Sequence, residues 1–156
     1  MPFEFLEPGN LSDDQLRLRL LRTETAGESV WKAPTYRFDI QLVEKDQRIG
    51  HLNFRIGDSL LCTHYAGQIG YGIDEAHRGH HYAERACRLV LPFVARHGVH
   101  SLWITCNTDN TASRRTLERL GAELVEIVTV PDDYPFGSGT LRQKCRYLVK
   151  MMKYER

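Results

Sequence analysis

The chain is organised around one stretch, Tyr71-Gly72-Ile73-Asp74-Glu75-Ala76-His77-Arg78-Gly79-His80-His81-Tyr82-Ala83. An alternating apolar pattern ends at Ile73, a polar turn that contains Gly79 follows, and helical spacing begins at Tyr82. The N–H groups in the first turn of a helix have no partner within the helix, and the helix dipole favours an anion beside them. The stretch therefore predicts a strand, a phosphate-binding turn and a helix in succession.

Composition and charge limit the classes of protein to consider. The chain has 156 residues, which suits one domain with a sizeable core, and we expect a single domain over residues 1–156. The formal net charge of +1 argues against a dedicated nucleic-acid-binding protein. No run approaches the roughly 18 apolar residues that span a bilayer, so we expect no membrane association.

The cysteines and the N-terminal sequence indicate the compartment. The first residues lack the charged and apolar regions of a signal peptide, and no two cysteines form a Cys-x-x-Cys pair. Widely spaced cysteines of this kind indicate reduced thiols in a cytoplasmic protein. Three histidines of the turn, His77, His80 and His81, do not predict a metal site, because no nearby carboxylate or cysteine completes a credible ligand set.

The N-terminal part of the sequence predicts one strand and one helix. Residues 3–6 have the pattern of a short strand. Ser12 and Gln15 have the spacing of a capping box, which predicts that a helix follows. That helix would bury the leucines at positions 16, 20 and 21. Residues 23–35 mix Thr, Gly, Ser and Pro and predict an irregular connection.

The central part predicts three consecutive strands and then a helix. Alternating polarity indicates strands over 36–42, 49–56 and 65–73. One face of the third strand carries only Ala66, Gln68, Gly70 and Gly72, which indicates that another group approaches its backbone closely. An apolar stripe from Ala83 predicts a helix that ends at Gly98.

The C-terminal part completes an α/β pattern with a mixed sheet. Residues 102–106 predict a strand that lies parallel to 65–73 through a right-handed crossover. Asn110 is suited to cap a helix over 111–120, and Gly121 is suited to end it. Further strands are expected over 123–130 and 144–152.

Three motifs in this order carry a family resemblance. The first, Gln68-Ile69-Gly70-Tyr71-Gly72-Ile73, lies just before the second, Arg78-Gly79-His80-His81-Tyr82-Ala83. The third combines Asn107 and Asn110-Thr111-Ala112-Ser113 with Leu117-Glu118-Arg119-Leu120-Gly121-Ala122. They resemble the pantetheine-binding strand, the pyrophosphate loop and the Asn-x-x-Ser…Leu-Gly segment of the GNAT superfamily of acyl-CoA N-acyltransferases. The third motif is similar to that of the branch that includes ribosomal-protein N-terminal acetyltransferases.

The resemblance implies a fold and a cofactor. The fold would be a mixed, mostly antiparallel sheet of six to seven strands, with helices on both faces and a splayed central pair of parallel strands. Acetyl-CoA would be the co-substrate, with its arm paired to the strand before the loop and no metal involved. The implied coenzyme A contacts are Tyr71, Gly72, Ile73, Arg78, Gly79, His80, His81, Tyr82, Ala83, Asn107 and Asn110.

The sequence departs from the family pattern at three positions. His81 stands where the family loop has its central glycine, and a side chain there crowds the pyrophosphate unless its φ is negative. Leu117 stands where some branches have a tyrosine acid, so resemblance nominates Ser113 as the acid instead. Gln68 replaces a glutamate that is frequent in that branch, and a neutral amide cannot take a proton but can hold a water. Tyr65, like His51, is a further base to consider.

Two functions are compatible with these residues. The first is an N-acetyltransferase that acts on a primary amine, either a protein N-terminus or a small molecule, as a monomer or homodimer. Its acceptor side would be formed by residues 23–35 and 131–139, with walls from Trp31, Tyr36, Tyr134 and Phe136. The second is a catalytically silent module that binds acyl-CoA, which the departures at Gln68 and Leu117 keep open.

Overall fold

The first half of the chain forms an antiparallel sheet whose strands lie in chain order. In the computed structural model, which describes residues 2–136 and 142–155, this sheet has five strands. They are β1 (Leu11–Ser12), β2 (Leu16–Glu24), β3 (Thr35–Leu42), β4 (Gln47–Arg55) and β5 (Ile69–Ile73).

The predicted first helix is wrong, because residues 16–24 form strand β2. Leu16, Leu18 and Leu20 alternate with arginines, and this period of two buries one face of the strand against the core. The capping box is wrong as well. The side chain of Asp13 accepts the N–H groups of Gln15 and Leu16, at 2.8 and 2.7 Å, and thereby shapes the turn between β1 and β2.

The predicted strand over residues 3–6 is also wrong. This segment has no strand partner, and Phe5 and Leu6 pack against the core instead. The N–H of Leu6 donates to the hydroxyl of Tyr36 at 2.7 Å, and that hydroxyl also lies 2.8 Å from Nε2 of His97. Tyr36 is completely buried, so it does not form a wall of the acceptor side as the sequence suggested.

The second half of the chain, in the part that the structure describes, forms two α-helices and a three-stranded sheet. The predicted helices are confirmed as α1 (Tyr82–Ala95) and α2 (Thr111–Arg119). The strands β6 (Ser101–Asn107), β7 (Glu123–Thr129) and β8 (Gln143–Lys150) pair antiparallel in the order β6, β8, β7. Helix α1 buries one face against β2, β4 and β5 and thereby joins the core to the first sheet.

The third strand of the central part starts later than predicted. Residues 61–65 form a π-helical turn, and β5 begins only at Ile69. Between them, Gly67 has a φ of +81°, and a Cβ at this position would lie 2.9 Å from the backbone nitrogen of Thr105. This close approach brings the chain against β6 immediately before β5 begins.

The two sheets meet at Gln68. Its N–H donates to the carbonyl of Trp103 at 2.7 Å, and its side-chain oxygen accepts the N–H of Trp103 at 2.8 Å. Beyond this point β5 and β6 belong to separate sheets, so the two strand edges splay apart. The predicted fold class, an α/β fold with largely antiparallel strands and a splayed central pair, is confirmed.

Candidate functional site

A cleft of about 530 Å³ opens where β5 ends and the two helices begin. It lies next to the gap between β5 and β6. The residues that line it come from β5, the turn that follows β5, and the first turns of α1 and α2. They are Tyr71, Gly72, Ile73, His77, Arg78, Gly79, His81, Tyr82, Ala83, Asn110, Ala112, Ser113, Arg115, Thr116 and Arg119.

Two residues in the turn between β5 and α1 have a positive φ. Gly79 has a φ of +92°, with no atom within 4 Å of where its Cβ would be. His81 precedes the helix at φ 60° and ψ 25°, the left-handed region that glycine adopts most readily, so it does not have the negative φ that would keep its side chain clear of a pyrophosphate. The side chain of Arg78 donates from Nε to the carbonyl of Ile73 at 2.9 Å. These contacts leave the start of α1, with its unpaired N–H groups, on the wall of the cleft.

The start of α2 forms the opposite wall. Asn110 caps this helix as predicted, because its Oδ1 accepts the N–H of Ser113 at 3.1 Å. The hydroxyl of Ser113 lies 2.7 Å from the hydroxyl of Tyr71. Burial raises the pKa of Tyr71 well above its ordinary value, so this phenol stays protonated at neutral pH. The structure thus brings together two residues that the sequence nominated separately.

The hydroxyl of Ser113 has a second neighbour, the thiol of Cys106 at the end of β6. Burial raises the pKa of Cys106 to about 11, and the hydrogen bond with Ser113 opposes that rise. The thiol is therefore protonated at neutral pH. All four cysteines are free and buried.

Cations on α2 are the part of the cleft that sequence reasoning missed. Arg115 and Arg119 both line it. Nε of Arg119 lies 2.8 Å from Oε1 of Glu84, and Oε2 of the same carboxylate lies 3.2 Å from Nε of Arg88. The signal was present in the sequence, since Arg115 lies two residues after Ser113 and Arg119 lies one turn further along the same helix. Together with Arg78, these side chains favour a ligand with several negative charges.

Five of the residues nominated from the sequence for catalysis or cofactor binding lie outside this cleft. The ring of His80 packs beside that of Tyr82, with 5.2 Å between the ring centroids. The side-chain oxygen of Asn107 accepts a hydrogen bond from Nζ of Lys144 at 2.7 Å. The other three are Gln68, Tyr65 and His51.

Gln68 is 7% exposed, and both ends of its side-chain amide have protein partners. Its oxygen accepts from the Trp103 N–H, as described above, and its nitrogen donates to the carbonyl of Gly57 at 3.1 Å. These contacts fix the side chain between the two sheets. A water-holding role for Gln68 stays a prediction that this geometry does not favour.

Strand β5 presents different chemistry on its two faces. Tyr71 lies on the face toward the helices, whereas a Cβ at Gly70 would meet the side chains of Asn53 and Arg55 on the other face. A Cβ at Gly72 would likewise lie 2.7 Å from the ring of His51. On this face, side chains of β4 therefore fill the space beside the small residues that were predicted to allow a close approach.

Arg55 and His51 have perturbed pKa values on this second face. Arg55 donates through Nη1 to the carbonyls of Ala66 and Gly67, and its guanidinium carbon lies 3.8 Å from the centre of the Trp31 ring. Burial lowers the pKa of Arg55 to about 10. Burial, assisted by the nearby Arg48, also lowers the pKa of His51, so its imidazole is neutral at pH 7.

Aromatic side chains form a cluster on the same face, which we call the aromatic cluster. Its rings follow one another at centroid distances of 5.9 Å from Trp31 to Phe136, 5.7 Å to Tyr134 and 6.3 Å to Tyr65. Three of the four acceptor walls suggested by the sequence therefore lie together. Part of the predicted acceptor loop, residues 137–139, lies outside the described residues.

Two kinds of feature are absent from the residues that the structure describes. Over residues 2–136 and 142–155, no group of three His, Cys, Asp or Glu side chains is arranged to hold a metal ion. Within the same part of the chain, no helix is both long and apolar enough to cross a membrane.

Comparisons with known proteins place this fold among acetyltransferases. Residues 2–123 match the family model described as the acetyltransferase (GNAT) domain. A search of curated proteins returned no match. The matching solved structures include the ribosomal-protein-S5-alanine acetyltransferase from Vibrio fischeri, with a TM-score of 0.69, 12% identity, and coverage of 94% of this chain and 99% of that one.

Two further structures extend this comparison. RimL, a ribosomal L7/L12 alpha-N-protein acetyltransferase in complex with coenzyme A, has a TM-score of 0.67 and 15% identity, covering 91% of this chain and 98% of its own. A GNAT-family acetyltransferase from Bacillus anthracis has a TM-score of 0.59 and 18% identity over 74% of this chain. The chain spans 66% of the length of that protein.

Proposed function

Because this chain belongs to the acetyltransferase (GNAT) family, we propose that it transfers an acetyl group from acetyl-CoA to a primary amine in a ternary complex. The observation that carries the proposal is the cleft itself. It combines the start of α1, three arginines and the Tyr71–Ser113 pair beside an open strand edge. Acetyl-CoA would match these features. Its phosphates suit the start of α1 and the arginines, and its arm and thioester suit the strand edge and the pair of hydroxyls.

The cleft residues would bind the cofactor as follows. The N–H groups at the start of α1 and the loop 78–81 would hold the pyrophosphate, with Arg115 and Arg119 adding positive charge. The exposed edge of β5 would pair with the amides of the pantetheine arm as an added strand does. Asn110 would contact the arm from the α2 side, and Asn107 from the end of β6. One sequence-derived contact, His80, lies beside Tyr82 rather than in the cleft and would act from the rim of the loop.

The reaction requires three contributions from the protein. Positioning of the thioester beside the amine is the largest of them. A backbone N–H of β5 near Tyr71 would stabilise the oxyanion that forms at the thioester carbonyl. The hydroxyl of Ser113 would then donate a proton to the departing thiolate, while Tyr71 holds that hydroxyl in place.

The acceptor would approach from the face that carries the aromatic cluster. Supporting this, Trp31, Tyr65, Tyr134 and Phe136 lie on the side of the sheets away from the cleft. Two of the similar structures are of enzymes that act on ribosomal proteins, which makes a protein N-terminus a natural acceptor. We further propose a single domain that acts in the cytoplasm as a monomer or homodimer, a setting that suits its four free cysteines.

One observation favours a second function, a silent acyl-CoA-binding module. Both ends of the Gln68 amide are engaged, and Leu117 is buried in the core, so neither position supplies an acid or base. Adding peptides with free N-termini and small primary amines to the protein with acetyl-CoA separates the two functions. Release of free thiol that depends on the amine supports the enzyme. Binding of acetyl-CoA in calorimetry without thiol release from any amine supports the module.

A further inference from the structure

Lys144 lies on β8, one strand away from the gap between the two sheets, on the face opposite the cleft. It pairs across β8 and β6 with Asn107, and β6 is the strand of its sheet that borders the gap. Neighbouring residues Cys106 and Cys145 point into the core, so Lys144 and Asn107 leave the sheet on its other face. There Nζ of Lys144 donates to Oδ1 of Asn107 at 2.7 Å.

The surroundings of this amine are apolar rather than acidic. Nζ of Lys144 lies 5.7 Å from the centre of the Tyr134 ring, a member of the aromatic cluster. Within residues 2–136 and 142–155, no carboxylate lies within ion-pair distance of it, and residues 137–141 contain no Asp or Glu in sequence. Burial accordingly lowers the pKa of Lys144 from its ordinary value.

The charged and titratable groups described on the neighbouring elements supply no free negative charge to pair with the ammonium form of Lys144. On β6 the thiol of Cys106 is protonated at neutral pH, since burial raises its pKa. On β7 the carboxylate of Glu126 is engaged by Arg146 at 2.6 Å. On the π-helical turn, the pKa of His64 is lowered by burial, so this ring is neutral at pH 7. The remaining group, the phenol of Tyr134, has its pKa raised by burial and is also uncharged.

We propose that the amine of Lys144 is the general base that deprotonates the acceptor, an inference that rests on the acetyltransferase function proposed above. Neutral Lys144 keeps one N–H bonded to Asn107 while its lone pair accepts a proton from the incoming ammonium. The freed lone pair of the acceptor then attacks the thioester carbonyl carbon, and the C–S bond breaks. The acceptor nitrogen loses its second proton to solvent as the amide forms. The departing thiolate receives a proton from the hydroxyl of Ser113, which regains one from solvent, and Lys144 returns its own proton to solvent.

This assignment concerns deprotonation of the acceptor, a step that the phenol of Tyr71 does not perform because it is protonated at neutral pH. The candidates from the sequence are placed less well, because the Gln68 amide is fully engaged and the ring of His51 packs over Gly72. Tyr65 and Lys144 both lie near Tyr134, at 6.3 Å between ring centroids and 5.7 Å from Nζ to the ring centre. Asn107 would then orient the Lys144 amine through the hydrogen bond between the two side chains.

The test compares Lys144→Met and Lys144→Arg with the matched control Lys150→Met. Lys150 is an exposed lysine on the same strand. Thiol release is measured at pH 7 and pH 9.5 with two amines, one of pKa near 8 and one of pKa near 10.4. For both Lys144 variants we expect kcat/KM at pH 7 to fall roughly 100-fold, because methionine has no basic group and arginine stays protonated and cannot accept a proton.

The pattern of this loss distinguishes a base from a structural lysine. At pH 9.5 the amine of pKa near 8 is already neutral, so its rate in both variants should approach that of the wild type, whereas the more basic amine should stay slow. Acetyl-CoA affinity in calorimetry and the Lys150→Met rates should match the wild type.

Three results would overturn the proposal. They are wild-type activity in Lys144→Arg, a loss that is equal for both amines at both pH values, and stoichiometric acetylation of Lys144 detected by mass spectrometry. A wild-type protein that releases no thiol with any amine would instead overturn the proposed function itself.

Discussion

The phenol hydroxyl of Tyr71 lies 2.7 Å from the hydroxyl of Ser113, and this contact links β5 to the first turn of α2 across the cleft. The hydrogen bond restricts rotation of a serine side chain that would otherwise choose among several rotamers. It therefore connects the strand proposed to bind the arm with the residue proposed to act as the acid.

Replacing Tyr71 with Phe tests this link. We expect kcat to fall roughly threefold to tenfold, the effect of about one hydrogen bond, while the affinity for acetyl-CoA stays unchanged. Steady-state thiol release and calorimetry measure the two quantities. Tyr154→Phe, distant from the cleft in the final turn of the chain, is the control. A loss of affinity with kcat unchanged would mean that Tyr71 acts only through binding.

Replacing Ser113 with Ala should slow turnover more strongly. The cap of α2 is kept, because Asn110 accepts the backbone N–H of residue 113 and not its side chain. We expect kcat to fall roughly tenfold or more with cofactor affinity nearly intact. Ser101→Ala, at the exposed start of β6, serves as the control. If turnover in the Ser113 variant equals that of the wild type, this serine is not the acid.

Replacing Gly79 with Val should weaken acetyl-CoA binding tenfold or more, about 1.4 kcal/mol. A Cβ at this position meets no atom within 4 Å, so the effect comes from the φ of +92°, which valine resists. Gly98 offers a matched control, since it has a φ of +74°, similarly open surroundings and no place in the cleft. Calorimetry should show weaker binding for Gly79→Val alone. Equal affinities in the two variants would contradict the proposed loop.

Replacing His81 with Gly should stabilise the protein. The left-handed conformation costs a non-glycine residue roughly 1–2 kcal/mol, of which the greater chain entropy of glycine returns part. We expect the free energy of unfolding in urea to rise by about 0.5–1 kcal/mol. The neighbouring His80 has no positive φ, so His80→Gly should not stabilise. A drop in stability for His81→Gly would show that its imidazole makes a contact worth more than the strain.

Replacing Gln68 with Ala should destabilise the fold rather than act on chemistry. The change leaves the N–H of Trp103 and the carbonyl of Gly57 without their partners, and we expect a loss of roughly 2–4 kcal/mol in the free energy of unfolding. Gln47→Ala, at an exposed position of β4, is the control. A stable Gln68→Ala protein with little turnover would instead support the water-holding role.

The local features of this fold could be predicted from the sequence. The turn and helix after Ile73 were recognisable because their signals lie within a few residues of one another. The same holds for Asn110, whose cap spans three residues. The leucines of β2 led to the wrong prediction of a helix. Positions 16 and 20 fit a helical period, but positions 16, 18 and 20 also fit the period of a strand.

The features that depend on distant partners could not be predicted. The contact of Lys144 with Asn107 joins residues 37 positions apart, and the bond of Gln68 with Trp103 joins residues 35 apart. Both depend on the register of strands and on which edge faces the gap, which a single sequence does not specify. The same limit explains why Tyr36 was expected near the acceptor and lies in the core.

The hydrogen bonds of Gln68 make amide hydrogen exchange a measure of how stably the two sheets are joined. The N–H groups of Gln68 and Trp103 are both buried in this one contact, and each loses its protection only when the two halves separate there. The exchange rates of these two N–H groups therefore report the free energy of separating the two sheets at Gln68, whether or not a ligand occupies the gap between β5 and β6.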